Sequence, residues 1–193
     1  MINIAVFASG NGSNAENIIT HFSGSDIASV RLVISNKTDA YVLERAKAKG
    51  VPSIVVPKEQ LTCGNPTDLI EILRHHRIDY IILAGYLLRI PAALTENYKG
   101  KIINIHPALL PKFGGKGMYG MHVHKAVIDA QERESGITVH LADAVYDNGK
   151  ILFQATCPVM PGDTPEQLAA KVQDLEQLHF PTIIEKYITG ELK

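Results

Sequence analysis

Asparagine and histidine stand two residues apart at the end of an apolar run, Ile103-Asn104-Ile105-His106, and Pro107-Ala108-Leu109-Leu110-Pro111 follows at once. Alternation along a strand turns Asn104 and His106 to the same side, where an amide and an imidazole can act on one atom. Such a pair suits a developing oxyanion, because both groups donate hydrogen bonds and the imidazole also moves protons near neutral pH. Pro107 ends the strand there, having no N–H for the ladder. A lone histidine at a strand end is usually structural, but the Asn-x-His-Pro-x-Leu-Leu-Pro run is far more specific. A carboxylate would complete the set. Asp147 opens the turn Asp147-Asn148-Gly149 between two strand-like runs. Beside His106 it would orient the ring and favour the imidazolium. Aspartate also opens turns for local reasons, by bonding the backbone two residues on, so spacing alone leaves both roles open.

A second segment, Ser9-Gly10-Asn11-Gly12-Ser13-Asn14, separates the first apolar run from the first helical stretch. Glycine there permits positive φ and close ligand approach, and a helix N-terminus attracts an anion. Gly10-x-Gly12-x-x-Ala15 also fits the dinucleotide fingerprint, which wants an acidic residue at the end of the second strand. Ser35-Asn36-Lys37 stands there instead. One phosphate held by Gly12, Ser13 and Asn14 therefore fits better than a nicotinamide cofactor. A plain strand-to-helix turn with an Asn or Ser cap is the alternative. Among the 8 histidines, His122 and His124 with His106 or His140 would offer zinc ligands. Neither H-E-x-x-H nor C-x-x-C occurs, and histidines two apart on a helix diverge by about 200°. No metal is expected.

These residues need elements that bring strand ends together. Ile2–Ala8, Val30–Ser35, Ser53–Val56, Tyr80–Ala84 and Lys101–Ile105 read as strands. They alternate with helical stretches at Asn14–His21, Ala40–Lys49 and Pro66–His76, and with a short one opened by Pro91. Leu69, Ile70, Ile72 and Leu73 form the apolar face of the third. Alternation of this kind means βαβ crossovers, and near-continuous apolar strands mean a sheet covered on both sides. The last third has a glycine-rich loop (Phe113–Gly120), a helix around His124–Gln131 and two strands, Gly136–Asp143 and Ile151–Thr156. Asn148-Gly149 is a strong turn signal between them, and a long helix from Thr164 to Thr189 closes the chain. The fold class is therefore α/β: a Rossmann-like, mostly parallel twisted sheet with helices on both faces, a C-terminal strand pair and a long terminal helix. No repeat or linker interrupts it, so 1–193 reads as a single domain.

The chain has 193 residues, with 19 Lys+Arg against 20 Asp+Glu and a net charge of −1. That length buries a sizeable core without disulfides, and 46% hydrophobic residues argue against disorder. Near-zero charge without a basic run excludes a bulk electrostatic nucleic-acid binder. The apolar stretch Tyr80–Leu88 falls far short of the ~20 residues that span a bilayer. The opening MINIAVFAS lacks a basic n-region, and the two cysteines, Cys63 and Cys157, fit a reducing compartment. The expectation is a cytoplasmic protein with small-molecule partners, no nucleic acid and no membrane, as a monomer or weak homodimer.

In this order, GNGSN, SNKTDA, LAGYLLRI, NIHPALLPKF, GITVHLADAVYDNGKIL and QDLEQLHFP resemble the formyl-folate superfamily over essentially the whole chain. The flanking segments are similar to its phosphoribosylglycinamide formyltransferase branch. Methionyl-tRNA formyltransferases carry a further C-terminal barrel, formyltetrahydrofolate deformylases an added N-terminal domain, and the folate dehydrogenases are far longer. The short chain fits the first branch. The resemblance implies formyl transfer from 10-formyltetrahydrofolate, a co-substrate, to the amine of 5'-phosphoribosylglycinamide in purine biosynthesis. The alternatives are a formyltetrahydrofolate hydrolase (deformylase), and a non-catalytic nucleotide-binding module that needs only Gly10–Asn14.

The same resemblance implies a catalytic set of Asn104, His106 and Asp147 and a phosphate cradle of Gly12, Ser13 and Asn14. Gln173 and Glu176, one turn apart on the last helix, match residues that hold the phosphoribosyl part. Leu87, Leu88, Arg89, Ile90 and Asn104 match the folate site, as do Asp143, Ala144, Val145, Tyr146 and Asp147. Two features depart from the pattern: Leu61–Pro66 lacks the arginine expected near the folate tail, and Arg89 is shifted by one. A third is the insertion GGKGMYGMHVH, which lengthens the loop after NIHPALLPKF and makes Gly114–Gly120 a mobile lid. Bound substrate should then slow proteolytic cutting at Lys116; equal cutting with and without substrate would remove the lid.

Overall fold

The computed structural model describes residues 1–58, 66–143 and 146–192. Two compact units divide the chain, Met1–Ile103 and Asn104–Lys193. The first holds β1 (Ile2–Phe7), α1 (Ser13–His21), β2 (Ala28–Ser35), α2 (Val42–Ala48), β3 (Ser53–Val55), α3 (Pro66–His75), β4 (Tyr80–Leu83) and α4 (Ala92–Asn97). The division falls inside β5 (Ile102–His106). The second unit continues with α5 (Met121–Asp129), β6 (Glu134–Leu141), β7 (Ile151–Pro158) and α6 (Pro165–Ile188). Seven strands join in the order β3-β2-β1-β4-β5-β6-β7. β1 pairs parallel with β2 and β4, and β2 with β3, whereas β6 and β7 pair antiparallel. No helix among the described residues is long and apolar enough to cross a membrane.

The first unit is built on β1, whose Ile4, Ala5, Val6 and Phe7 are all fully buried. A strand apolar on both faces belongs in the middle of a covered parallel sheet. Ala15, Ile18 and Ile19 supply the buried stripe of α1, and Leu69, Ile70 and Leu73 that of α3. Ile72, read as part of that stripe, is only half-buried. The β1–β2 register slips between Ile4 and Ala5: Ile4 faces Val30 while Ala5 faces Leu32, so Arg31 is the extra residue of a bulge. Chain ends of the parallel strands gather their loops at one edge, the usual place for ligands in open α/β sheets.

The second unit packs α6 on the β6–β7 pair. A capping box starts α6: Thr164 Oγ1 accepts from the Gln167 N–H, and Gln167 Oε1 accepts from the Thr164 N–H at 2.8 Å. Pro181 sits buried inside this helix, where Phe180 and Ile184 are also out of water. The helix read around His124–Gln131 begins earlier, at Met121, because Gly120 turns the chain into it. β6 is buried along nearly its whole length, including Ser135, Thr138 and His140. A second bulge follows: Val139 faces Phe153 and His140 faces Ile151, leaving Leu152 extra. Gly136 faces Thr156 across the same pair, and a β-carbon there would lie 1.9 Å from the Ala155 carbonyl oxygen. Gly136→Ala should therefore cost about 1–3 kcal/mol, read as a lower urea midpoint at unchanged slope; an unmoved midpoint would contradict this packing.

Candidate active site

The second unit assembles a cluster around one carboxylate. His106 ends β5 and is 3% exposed. Its Nε2–H donates to the Phe113 carbonyl at 2.8 Å, which leaves Nδ1 facing Asp147 Oδ2 at 3.6 Å. Only the imidazolium places a proton on that second nitrogen, so Asp147 favours the charged ring. Asp147 sits in the left-handed region at φ 52 and also accepts from the Gly115 N–H at 2.8 Å. Its Oδ1 lies 3.6 Å from Nε2 of His140, a residue 1% exposed on β6. His140 Nδ1–H donates to the Leu141 carbonyl, and the Asn104 amide bonds Nε2 at 3.0 Å. Asn104 thus joins the cluster through His140 rather than through His106.

Burial and charge pull against each other here. Burial is the largest influence on His106 and leaves it below its ordinary 6.5, although Asp147 and the Phe113 carbonyl push upward. Asp147 raises this value, as its place in the sequence implies, but in the fold loss of water outweighs it. Burial also pushes Asp147 up, but nearby His140, the Gly115 N–H and His106 together hold its carboxyl below the ordinary 3.8. His124 on α5 is buried, with Nδ1 unpartnered among the described residues. Burial, then the charge of His106, lowers its affinity for a proton. His122 beside it is exposed, so the two rings diverge as two positions on a helix should. Among the described residues no three His, Cys, Asp or Glu gather as metal ligands.

The loop after His106 is clamped by Thr138, a fully buried hydroxyl. Its Oγ1 donates to the Ala108 carbonyl at 2.7 Å and accepts from the Leu110 N–H at 3.0 Å. Gln154 Nε2 reaches both that hydroxyl and the Leu110 carbonyl. Neither His140 nor Thr138 was among the residues expected to act. The signal was present, because Thr138 and His140 share one face of the apolar run Gly136–Leu141.

The first unit builds the glycine-rich turn separately. Gly12 is the N-cap of α1 at φ 76 and offers no side chain as a cap, and Ser13 and Asn14 form the first turn. A β-carbon at Gly12 would lie 2.4 Å from Val42 Cγ2, so sterics as well as φ demand glycine. The preceding Ser9 Oγ donates to Asn36 Oδ1 at 2.6 Å and accepts from the Leu87 N–H at 2.9 Å. One buried hydroxyl thereby ties together the segments after β1, β2 and β4. Arg45 on α2 holds the turn from outside: Nε donates to the Asn11 carbonyl, Nη2 to Asn11 Oδ1, and Nη1 pairs with Glu16. Arg45 was not expected from sequence.

Of the remaining expected residues, Leu87 and Arg89 are exposed, Leu88 is half-buried and Ile90 is buried. Neighbouring Tyr86 packs edge-on against Phe7, with ring centroids 5.3 Å apart, and burial pushes its phenol well up. Asp143 and Tyr146 are exposed. Ala144, Val145 and the Leu61–Asn65 stretch with Cys63 lie outside the described residues. Gln173 is exposed and Glu176 half-buried, one turn apart on α6.

These couplings set the acid response. A folded-state value below 6.5 for His106 means that the unfolded chain takes the proton more readily, so stability declines as pH falls below about 6.5. Asp147 adds a loss in the same direction at lower pH, as its depressed carboxyl is finally protonated. By NMR, the His106 ring should titrate below 6.5 and lower still in Asp147→Asn. A midpoint unmoved by that substitution would mean that the carboxylate does not act on the ring.

Known proteins resemble this chain over nearly its whole length. The family model described as formyl transferase matches residues 2–184. The chloroplastic phosphoribosylglycinamide formyltransferase of Arabidopsis thaliana is 44% identical over 185 residues, covering 94% of this chain and 63% of that protein. The chain thus spans less than two thirds of the plant relative. The phosphoribosylglycinamide formyltransferase of Haemophilus influenzae is 36% identical, covering 100% of this chain and 90% of that protein. The crystal structure of phosphoribosylglycinamide formyltransferase from Anaplasma phagocytophilum superposes with a TM-score of 0.89 at 31% identity, covering 100% of this chain and 89% of that one. With a family match that runs from residue 2 to residue 184, nearly its whole length, the chain belongs to the formyl transferase family.

Proposed function

We propose that this protein transfers the formyl group of 10-formyltetrahydrofolate to the primary amine of 5'-phosphoribosylglycinamide. The observation that carries the reading is the Asp147 carboxylate between His106, at the end of β5, and His140 on β6. The neutral amine attacks the formyl carbon, a C–N bond forms, and the carbonyl oxygen becomes an oxyanion. His106 Nε2–H and the Asn104 amide stabilise that oxygen; donors of this kind are worth about 3 kcal/mol each when removed. The Phe113 carbonyl occupies the acceptor position at Nε2 that the oxyanion takes over. Collapse breaks the bond to the folate nitrogen, and the amine's proton passes to that nitrogen through water held at Asp147. No covalent enzyme intermediate is needed.

Gly12, Ser13 and Asn14 take the substrate phosphate at the start of α1, where N–H groups and the helix dipole favour an anion. Gln173 and Glu176 hold the phosphoribosyl part, and the segments Leu87–Ile90 and Asp143–Asp147 wall the folate. Gly114–Gly120 acts as a lid whose base, at Gly115, is bonded to Asp147.

The test follows formyl loss from 10-formyltetrahydrofolate with and without the amine substrate. Loss should require the amine, vanish in His106→Ala, and slow by about 10²–10³-fold in kcat with little change in KM in Asp147→Asn. Equal loss without the amine would make the protein a hydrolase, and no loss at all would leave a binding module.

A further inference from the structure

Within the first unit, a cleft of about 830 Å³ opens at the N-terminal ends of β1 and β2, the opposite end of these strands from the Gly12 turn. Its walls include Asn3, Arg31, Lys49, His75, His76 and Arg77, and among the described residues no Asp or Glu lines it. Arg31, Lys49 and Arg77 form no ion pair among the described residues. The nearby Asp79 carboxylate is already engaged by the Asn3 N–H at 2.8 Å.

Two backbone features place the guanidinium-bearing residues at the cleft. Arg31 is the bulged residue of β2, and bulges re-aim side chains. Arg77 stands in the left-handed region at φ 53, with its carbonyl held by Asn3 Nδ2 at 2.8 Å. Lys49 and His75 also close the ends of α2 and α3, where a cation complements the helix dipole. That ordinary role does not extend to Arg31, which lies on a strand. Three cations with no carboxylate partner among the described residues line one polar hollow together, a focus of positive potential that attracts an anion.

We propose that this cleft binds a small phosphorylated anion of nucleotide size. Its volume falls in the usual range for small-molecule sites, and guanidinium groups suit the two-point grip that phosphate oxygens accept. A polynucleotide is disfavoured, because a chain of net charge −1 lacks the extended basic surface that would track one. The site is independent of the formyl-transfer reading.

The full chain, labelled for amide NMR, would be titrated with pyrophosphate and with ADP. Saturating shifts are expected at Gly24, Gly50, Val51 and the Arg77 amide, apart from any at Gly10–Asn14. Arg31→Ala/Arg77→Ala should weaken the cleft response at least about tenfold, the effect of losing charge-assisted hydrogen bonds. It should leave the response at Gly10–Asn14 in place. Shifts confined to Gly10–Asn14, or an unchanged affinity at the cleft in the folded variant, would overturn the proposal. Tighter binding of a single-stranded oligonucleotide than of ADP at the same amides would overturn the small-ligand assignment.

Discussion

A carboxylate with only 11% of its side chain exposed needs partners, and both oxygens of Asp147 have them. One imidazole faces each oxygen, and the Gly115 N–H donates to Oδ2. Removing an ionised acid from water is costly unless charge and hydrogen bonds replace the solvent. The geometry of the second unit follows from meeting that requirement. β5 must end at His106, β6 must deliver His140 to the same oxygens, and the loop from Phe113 must turn Gly115 inward. The price is a histidine whose proton affinity is set by competition between burial and one neighbouring charge.

The first unit solves a different problem with the same economy. Parallel strands end in loops whose backbones have no ladder partners, and Ser9 joins three of those ends through one hydroxyl. Asn36, which in the sequence argues only against a nucleotide ribose, is the acceptor that completes this junction. Arg45 then braces the glycine-rich turn from the neighbouring helix. A rigid turn matters for an anion site, because donors already in place need not be ordered when the ligand arrives.

How far the sequence discloses this depends on the range of each interaction. The strands and helices announce themselves through local periodicity, and the Asn104–His106 pair through its place before Pro107. Gly12 is legible because a strand-to-helix turn with an anion site wants glycine. The roles of His140, Thr138 and Arg45 are not legible, because Asn104, Leu110 and Asn11, to which they bond, lie 28 to 36 residues away. The bulges at Arg31 and Leu152 are likewise invisible, since a register slip belongs to two strands at once. Burial of His106 escapes for a related reason: the balance between a desolvated ring and its counter-charge exists only after the sheet has formed.

The left-handed backbone at Asp147 also acts as a filter on inheritance. Most side chains lose about 1–2 kcal/mol at such a φ, whereas Asp and Asn tolerate it by bonding their own backbone. A lineage that abandons the chemistry can therefore pass through asparagine with its fold intact. Replacement by glutamate, although it keeps the charge, asks the turn itself to change. At this position the main chain, as much as the reaction, restricts which acids can serve.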